Sequence, residues 1–290
     1  GVGRGTLQRP VVGVVEADEP VDAVGDAGPQ LGAGEGRIVG GREGDGADAL
    51  WLSDDTRHML ADLTPKPDQV TIAINTIQMT ITELLFPEGI EGTSLFDPAT
   101  HAAYTEMTVP AGPAFVAEHL KRLQASNIQP HFQLTGIHAY ETLERLVRKG
   151  VYKGPMNLTW IGIGGGFDGP NPMNLMNFIN RVPDGCTLTA ESLLKNVLPL
   201  NTIAMAMGLH PRLGNEDTII DQHGKRFSSV EQVKQTVRIA NELGREIASG
   251  KEARDIYRIG VQYETIEETL LANGLAPNRK AGQKGVPQRG

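Results

Sequence analysis

The sequence predicts an α/β fold of the TIM (β/α)8 type, and three observations carry that prediction. From residue 66 onward, β-prone runs alternate with amphipathic helical runs at short intervals, a spacing that favours a parallel sheet joined by crossover helices. The chain has 290 residues, enough for one large α/β barrel or two ordinary domains. Its densest group of charged side chains lies in the stretch Gly208-Leu209-His210-Pro211-Arg212-Leu213-Gly214-Asn215-Glu216-Asp217. That stretch follows the helix expected over 198–207 and supplies the last expected strand and the loop after it, the place where barrels of this kind carry their reactive groups.

Residues 1–50 stand apart from the rest. They are crowded with Gly, Asp, Ala, Val and Arg, contain no Lys, Phe, Tyr or Trp, and show neither helical period nor sustained alternation. Two readings of this segment stay open: a disordered arm, or translation of a GC-rich gene from the wrong frame or start. The barrel domain is expected over 51–260, and 261–290 as a helix followed by a basic, Gly-rich, disordered tail beginning at Asn273.

Ser53-Asp54-Asp55 can cap a helix in which Met59, Leu60 and Leu63 share one face, ended by Pro65. A β-prone run over 70–75 follows, with Thr71 and Asn75 as turn or ladder residues. Residues 87–110 hold many turn formers and are expected to be a long loop. Helices are expected over 112–125, 139–149, 172–180, 198–207 and 251–257, and strands over 128–134, 157–163 and 186–189. In the 172–180 helix, Met173, Met176, Phe178 and Ile179 are expected in the core. Ser228-Ser229-Val230-Glu231 is a capping box for a helix running to residue 247, with Val230, Val233, Val237, Ala240 and Leu243 inward. After the 157–163 strand comes Gly164-Gly165-Gly166, which either lets backbone approach a phosphate or makes a flexible turn at a barrel rim. It lacks the spacing of a phosphate-binding loop.

The net charge of -8 argues against a nucleic-acid partner, for which a basic face is expected. No apolar run reaches the length of a membrane span and the N-terminus has no secretory pattern, so no membrane partner is expected. A single cysteine, Cys186, forms no internal disulfide, and a cytoplasmic location is the expectation.

The charged stretch has a plain interpretation, a surface loop making a salt bridge. The four-residue offset from Arg212 to Glu216, with glycine between, also lets the loop fold back so that cation and carboxylates face one pocket. Neighbouring carboxylates can then divide metal binding from proton transfer.

The pattern Arg212-x-Gly214-x-Glu216-Asp217, just after Met205-Ala206-Met207-Gly208, resembles the signature of the beta-keto acid cleavage enzyme family, of the 3-keto-5-aminohexanoate cleavage type. The likeness extends over about residues 66–260. It implies a TIM barrel that joins a β-keto acid to acetyl-CoA and releases acetoacetate and a new acyl-CoA, in amino-acid catabolism. It also implies zinc or another divalent metal held through Glu216, with Asp217 as base or proton relay and Arg212 neutralising a carboxylate or enolate. Thr71, Asn75, Gln133, His138, Gly164 and Gly165 are the substrate- or coenzyme-contacting candidates, and a homo-oligomer is implied. For His138, a buried structural role is an equal alternative.

Departures from the family pattern matter as much. The family holds its metal also through a His-x-His pair, and this chain has none: His58, His101, His119, His131, His138, His210 and His223 are all isolated. The family places more chain before its first Pro-Glu strand, so the first barrel strands are expected to be missing or replaced. Pro130-His131-Phe132-Gln133 stands where the family has Pro-Glu-x-Glu, which implies a less cationic substrate. His210 is assigned no role. The competing readings are a metal-dependent aldolase or lyase working without coenzyme A, and an inactive homologue serving as a structural or binding module.

Overall fold

The computed structural model describes residues 57–80, 82, 91–92, 96–103, 105, 107–193, 196–280 and 282. The segment 1–50 and the expected Ser53 cap lie outside them. In chain order the elements are β1 (Gln69–Ala73), β2 (Ile77–Met79), α1 (Pro98–Ala103), β3 (Met107–Val109), α2 (Pro113–Ala125), β4 (Gln129–Leu134), α3 (Ile137–Arg148) and β5 (Asn157–Gly162). Then follow α4 (Pro172–Ile179), β6 (Thr187–Ser192), α5 (Leu198–Ala206), β7 (His210–Pro211), α6 (Ser229–Glu242), α7 (Gly250–Ile256) and α8 (Ile266–Ala272).

The chain is an α/β fold on a five-stranded sheet of order β1-β4-β5-β6-β7, every pair parallel. From β4 to β7 strands adjacent in the sheet follow one another in sequence, separated by helical crossovers, as the alternating pattern predicts, while the β2–β3 pair is inserted between β1 and β4. Among the described residues β1 and β7 are the edges and the sheet does not close on itself.

Because side chains alternate across a strand, register sorts the sheet into two unlike faces. One carries Ile72, Ile74, Phe132, Leu134, Leu158, Trp160, Leu188 and Ala190, all buried. Helices supply their partners: Phe115, Val116 and Leu120 of α2, Tyr140, Leu143 and Val147 of α3, Leu175 and Phe178 of α4, and Leu200 and Ala204 of α5. Each such Leu or Phe removed from water contributes roughly 1.5–3 kcal/mol, so this layer holds the helices on. The opposite face is mostly polar: Gln69 and Thr71 of β1, Gln129, His131 and Gln133 of β4, Asn157 and Thr159 of β5, Thr187, Thr189 and Glu191 of β6, and His210, with Ala73 and Ile161 its apolar members.

The segment after α7 seals the N-terminal ends of the strands on that polar face. The Tyr257 carbonyl accepts from Gln129 Nε2 at 2.8 Å and Asn157 Nδ2 at 2.9 Å, while the Gly260 N–H donates to Gln129 Oε1 at 3.1 Å. Thr187 Oγ1 donates to Asn157 Oδ1 at 2.6 Å and completes the layer.

Several local expectations need correction. Met59–Asp62 is a short 3-10 turn, and Met59, Leu60 and Leu63 are exposed. Within the expected loop 87–110, the described residues form α1 and β3, the latter an antiparallel partner of β2. In α4 the buried residues are Leu175 and Phe178, with Met173 63% exposed. The capping box of α6 forms as expected. The helix stops at Glu242, because Gly244 takes φ 70°, and it buries Gln232, Thr236 and Ala240 while Val230 and Leu243 stay exposed. The helix is rotated from its apolar stripe because Gln232 has polar partners inside, described below.

Asn273, expected to begin a disordered tail, is fully buried. Its side chain accepts from the Met156 N–H at 2.8 Å and donates to the Gly154 and Thr269 carbonyls at 3.0 and 2.8 Å. Asn273→Ala is expected to destabilise the fold by about 2–4 kcal/mol, since each abandoned buried group loses its partner. A lower urea midpoint at unchanged slope is the expected measurement, and an unchanged midpoint would refute it.

Candidate functional site

The site is built where β6 and β7 end. Thr189 and Ala190 pair with His210 and Pro211, and the Arg212 N–H extends the ladder to the Ala190 carbonyl at 2.9 Å. Period-two alternation then puts Arg212 on the same face as His210 and Glu191. Asn201 of α5 donates to the Arg212 carbonyl at 3.1 Å and fixes the strand end from the helix side.

Gly214 turns the chain back. It takes φ 150°, and its carbonyl accepts from the N–H groups of Asp217 and Thr218 at 3.0 and 3.1 Å. Gln232 of α6 clamps this turn, accepting from the Gly214 N–H at 3.0 Å and donating to the Thr218 carbonyl at 2.9 Å and the Phe227 carbonyl at 3.2 Å. Ser229 Oγ accepts from the Asn215 N–H at 3.0 Å. These bonds are why a glutamine is among the buried residues of α6.

Folded back in this way, the loop surrounds the guanidinium with carboxylates. Arg212 Nη1 lies 2.6 Å from Glu191 Oε2, and Nη2 lies 3.2 Å from Asp217 Oδ1 and also pairs with Glu216 Oε2. Asp217 is fully buried and Glu191 3% exposed, whereas the Glu216 side chain is 83% exposed. The contacts to Glu191 and Asp217 are charge pairs without hydrogen-bond alignment, and Asp217 Oδ2 has no partner among the described residues.

The electrostatics follow from that burial. Desolvation, then the neighbouring Glu191 charge, pushes the Asp217 carboxyl up to about 8, against the pull of Arg212. Burial also raises Glu191 despite its contact with Arg212. Burial works against the Arg212 charge, but Glu191, Asp217 and Glu216 more than offset it and keep the guanidinium charged. A carboxyl that releases its proton near neutral pH, beside a permanent cation, suits proton transfer to and from carbon.

Beneath this group lies an uncharged layer. His131 Nε2 is 2.8 Å from Thr159 Oγ1, and its Nδ1 is 3.3 Å from Gln69 Oε1. The Tyr257 ring sits between His131 and His210, with centroids 5.7 and 5.5 Å away, and its hydroxyl is 3.3 Å from Thr189 Oγ1. Burial lowers both imidazoles to about 4, so they are neutral at physiological pH.

The residues singled out from sequence are thus partly gathered. Arg212, Glu216 and Asp217 meet at one point. Asn75 (φ 71°) lies just past β1, and Gly164 and Gly165 (φ 81° and 60°) just past β5. Thr71 lies within β1 beside His131, and Gln133 within β4 beside Thr159. His138 is exposed in the first turn of α3, 3.0 Å from Thr135 Oγ1, so the buried structural alternative does not hold for it. Gly165 has a packing reason to be glycine: a Cβ there would come within 2.8 Å of the Thr80 carbonyl oxygen. The expected strand 186–189 stops short of Glu191, whereas β6 runs on to Ser192. The alternation Thr187, Thr189 carried one step further reaches Glu191 on the same face.

Zinc held through Glu216 does not fit the described side chains. Glu216 is engaged by Arg212, whose charge repels a second cation. Among the described residues no three His, Cys, Asp or Glu side chains gather as a metal-holding group.

Comparison with known proteins decides the family. A family model described as beta-keto acid cleavage enzyme matches residues 40–259, a longer reach than the expected start near residue 66. The chain belongs to the beta-keto acid cleavage enzyme family. The 3-keto-5-aminohexanoate cleavage enzyme of Acetoanaerobium sticklandii is 29% identical over 141 residues, covering 48% of this chain and 51% of that protein. The enzyme of the same name from Fusobacterium nucleatum is 38% identical over 84 residues, 29% of this chain and 31% of that one. The 3-dehydrocarnitine:acetyl-CoA trimethylamine transferase of Rhizobium meliloti is 22% identical over 143 residues, covering 49% of this chain and 47% of its own length. The chain spans about half the length, or less, of these curated relatives. Among solved structures, apo ObcA aligns with 67% of this chain and 45% of its own at 13% identity and a TM-score of 0.44, a likeness too slight to argue from. No helix of the described residues is long and apolar enough to cross a membrane.

Proposed function

We propose that this chain of the beta-keto acid cleavage enzyme family carries the proton-transfer half of an acyl-transfer site, acting on a β-keto acid with acetyl-CoA as co-substrate. The observation that carries the reading is Asp217: fully buried, one carboxylate oxygen 3.2 Å from Arg212 Nη2, the other without a hydrogen-bond partner among the described residues. Such a group can take the acidic proton from the carbon between the keto and carboxylate groups. Arg212 then balances the enolate charge as it forms, in a site whose burial strengthens the attraction. The enolate carbon bonds to the thioester carbonyl carbon of acetyl-CoA and expels the coenzyme A thiolate, which attacks the original keto carbon. Cleavage of the bond between that carbon and the α-carbon leaves the new acyl-CoA, and return of the proton to the α-carbon gives acetoacetate. The five-stranded sheet is read here as an arc of a (β/α)8-type barrel, with the strands' C-terminal ends as the reacting edge.

The side chains on β4 suggest the substrate class. Gln133 is uncharged and burial keeps His131 neutral, so this strand offers nothing to pair with an ammonium group. A β-keto acid with an uncharged side chain is the proposed substrate. Purified protein is expected to convert such an acid only when acetyl-CoA is added, with acyl-CoA appearing by chromatography. Turnover without acetyl-CoA would instead favour a lyase, and a marked preference for an amino-substituted acid would refute the substrate class.

A further inference from the structure

We propose that Glu191 is the positioning residue of this site, anchoring Arg212 through Nη1 so that its Nη2 edge can exchange Glu216 for the carboxylate of a β-keto acid. The inference rests on the reading of Arg212 as the anion-receiving group. Glu191 stands in register with Ile161, on a strand paired on both sides by β5 and β7, and is 3% exposed. A carboxylate on so rigid an element moves little. The other residues described on its face of β6, Thr187 and Thr189, are uncharged, so the charge at 191 is not a property of the strand.

The three carboxylates around Arg212 are not equivalent. Among the described carboxylates Glu191 alone pairs with Nη1, at 2.6 Å. Glu216 and Asp217 share Nη2, and of these the Glu216 side chain is 83% exposed. An arriving substrate carboxylate therefore competes with Glu216, a solvated partner that gives way at little expense. Glu191 cannot be displaced without leaving a buried charge unpaired. The guanidinium is thereby held from below while its outer edge exchanges one carboxylate for another. A planar, two-edged cation suits this division of labour, and a lysine would not serve, because its single ammonium has no second edge.

The sign of a simple measurement separates positioning from bulk electrostatics. Glu191→Gln removes a negative charge from the neighbourhood of an anion, so through-space repulsion alone would make acetoacetate bind more tightly. Positioning requires the opposite. Acetoacetate, the smallest β-keto acid probe, would be titrated by calorimetry into the unmodified chain, Glu191→Gln, Arg212→Ala and the double variant, each checked for an intact thermal transition. Expected are a loss of about tenfold for Glu191→Gln, an equal or larger loss for Arg212→Ala, and less than about twofold further change when Glu191→Gln is added to Arg212→Ala. Should the Gln variant melt early, Glu191→Asp carries the same test, since it keeps the charge but withdraws the oxygen from Nη1. Unchanged or tighter binding by Glu191→Gln, or an equal loss with and without Arg212, overturns the role of Glu191 while leaving the function standing. Failure of the unmodified chain to bind acetoacetate, or undiminished binding by Arg212→Ala, overturns the functional reading and this inference with it.

Discussion

Replacing Asp217 by Asn is expected to lower turnover by about 10^2–10^4-fold, the range typical of losing a positioned acid or base, while making the folded chain harder to unfold at pH 8. The two effects share a cause. Burial and then Glu191 raise the carboxyl from 3.8 to about 8, so between those values the folded chain holds a proton that the unfolded chain has shed. Stability from that proton is fully present below about pH 4 and is lost as pH rises through 8. Asparagine has the same shape and nothing to titrate, and Arg212 keeps Glu191 and Glu216 as partners. The gap in melting temperature between variant and unmodified chain should therefore be near zero at pH 4, widen up to pH 8 and then level off. Each kcal/mol of relieved burial is worth about 2–4 °C. A variant that melts below the unmodified chain at pH 8 would show that Asp217 stabilises the site as an ion pair rather than straining it.

Acid should unfold the chain well before its surface carboxylates titrate. His119, His131 and His210 are each lowered from 6.5 to about 4, chiefly by burial, with neighbouring cations as secondary causes. His119 also faces His58, with their Nδ1 atoms 3.2 Å apart, and Arg57 and Arg122 add to its suppression. Between pH 6.5 and 4 the unfolded chain protonates all three imidazoles and the folded chain does not, so stability falls as pH drops through that window. Asp217 and Glu191, raised in the folded state, act in the opposite direction. The net uptake on unfolding is then about one to two protons, or roughly 1.4–2.8 kcal/mol per pH unit. Urea midpoints at pH 7, 6 and 5 measure it, and His210→Gln should flatten the curve. A slope unaffected by that substitution would mean that His210 is hydrated in the folded chain.

The fold was legible where local signals agreed with tertiary packing. Strand and helix positions from β4 to α5 follow from periodicity, because their apolar side chains meet one continuous core. Periodicity misled where a polar residue had inside work: Val230 and Leu243 mark an apolar stripe on α6, yet Gln232 turns inward to hold the loop at Gly214. It misled again at Met173, since an exposed methionine and a buried one are alike in sequence. At the site, the return of Glu216 and Asp217 toward Arg212 was legible from spacing and the intervening glycine. Glu191 was not, because its closeness to Arg212 arises from the register of two strands separated by a whole helix. Tyr257, more remote still, reaches the His131–His210 layer only through the path of the chain after α7. Neither could be inferred from neighbours in sequence.

The segment from Tyr257 to Gly260 also sets an order of events in time. Its bonds to Gln129 and Asn157 join residues 128, 131 and 100 positions apart. Loops of that length close late, after the local helix and strand contacts have formed. On a ribosome the strands β4 to β7 emerge first, with the polar side chains at their base lacking partners until the later segment arrives. During that interval the nascent chain exposes a wet, unsealed sheet whose strand bases remain open to other donors and acceptors. The rate at which the segment after α7 is made and docked thus governs how long the nascent chain stays vulnerable to mispairing.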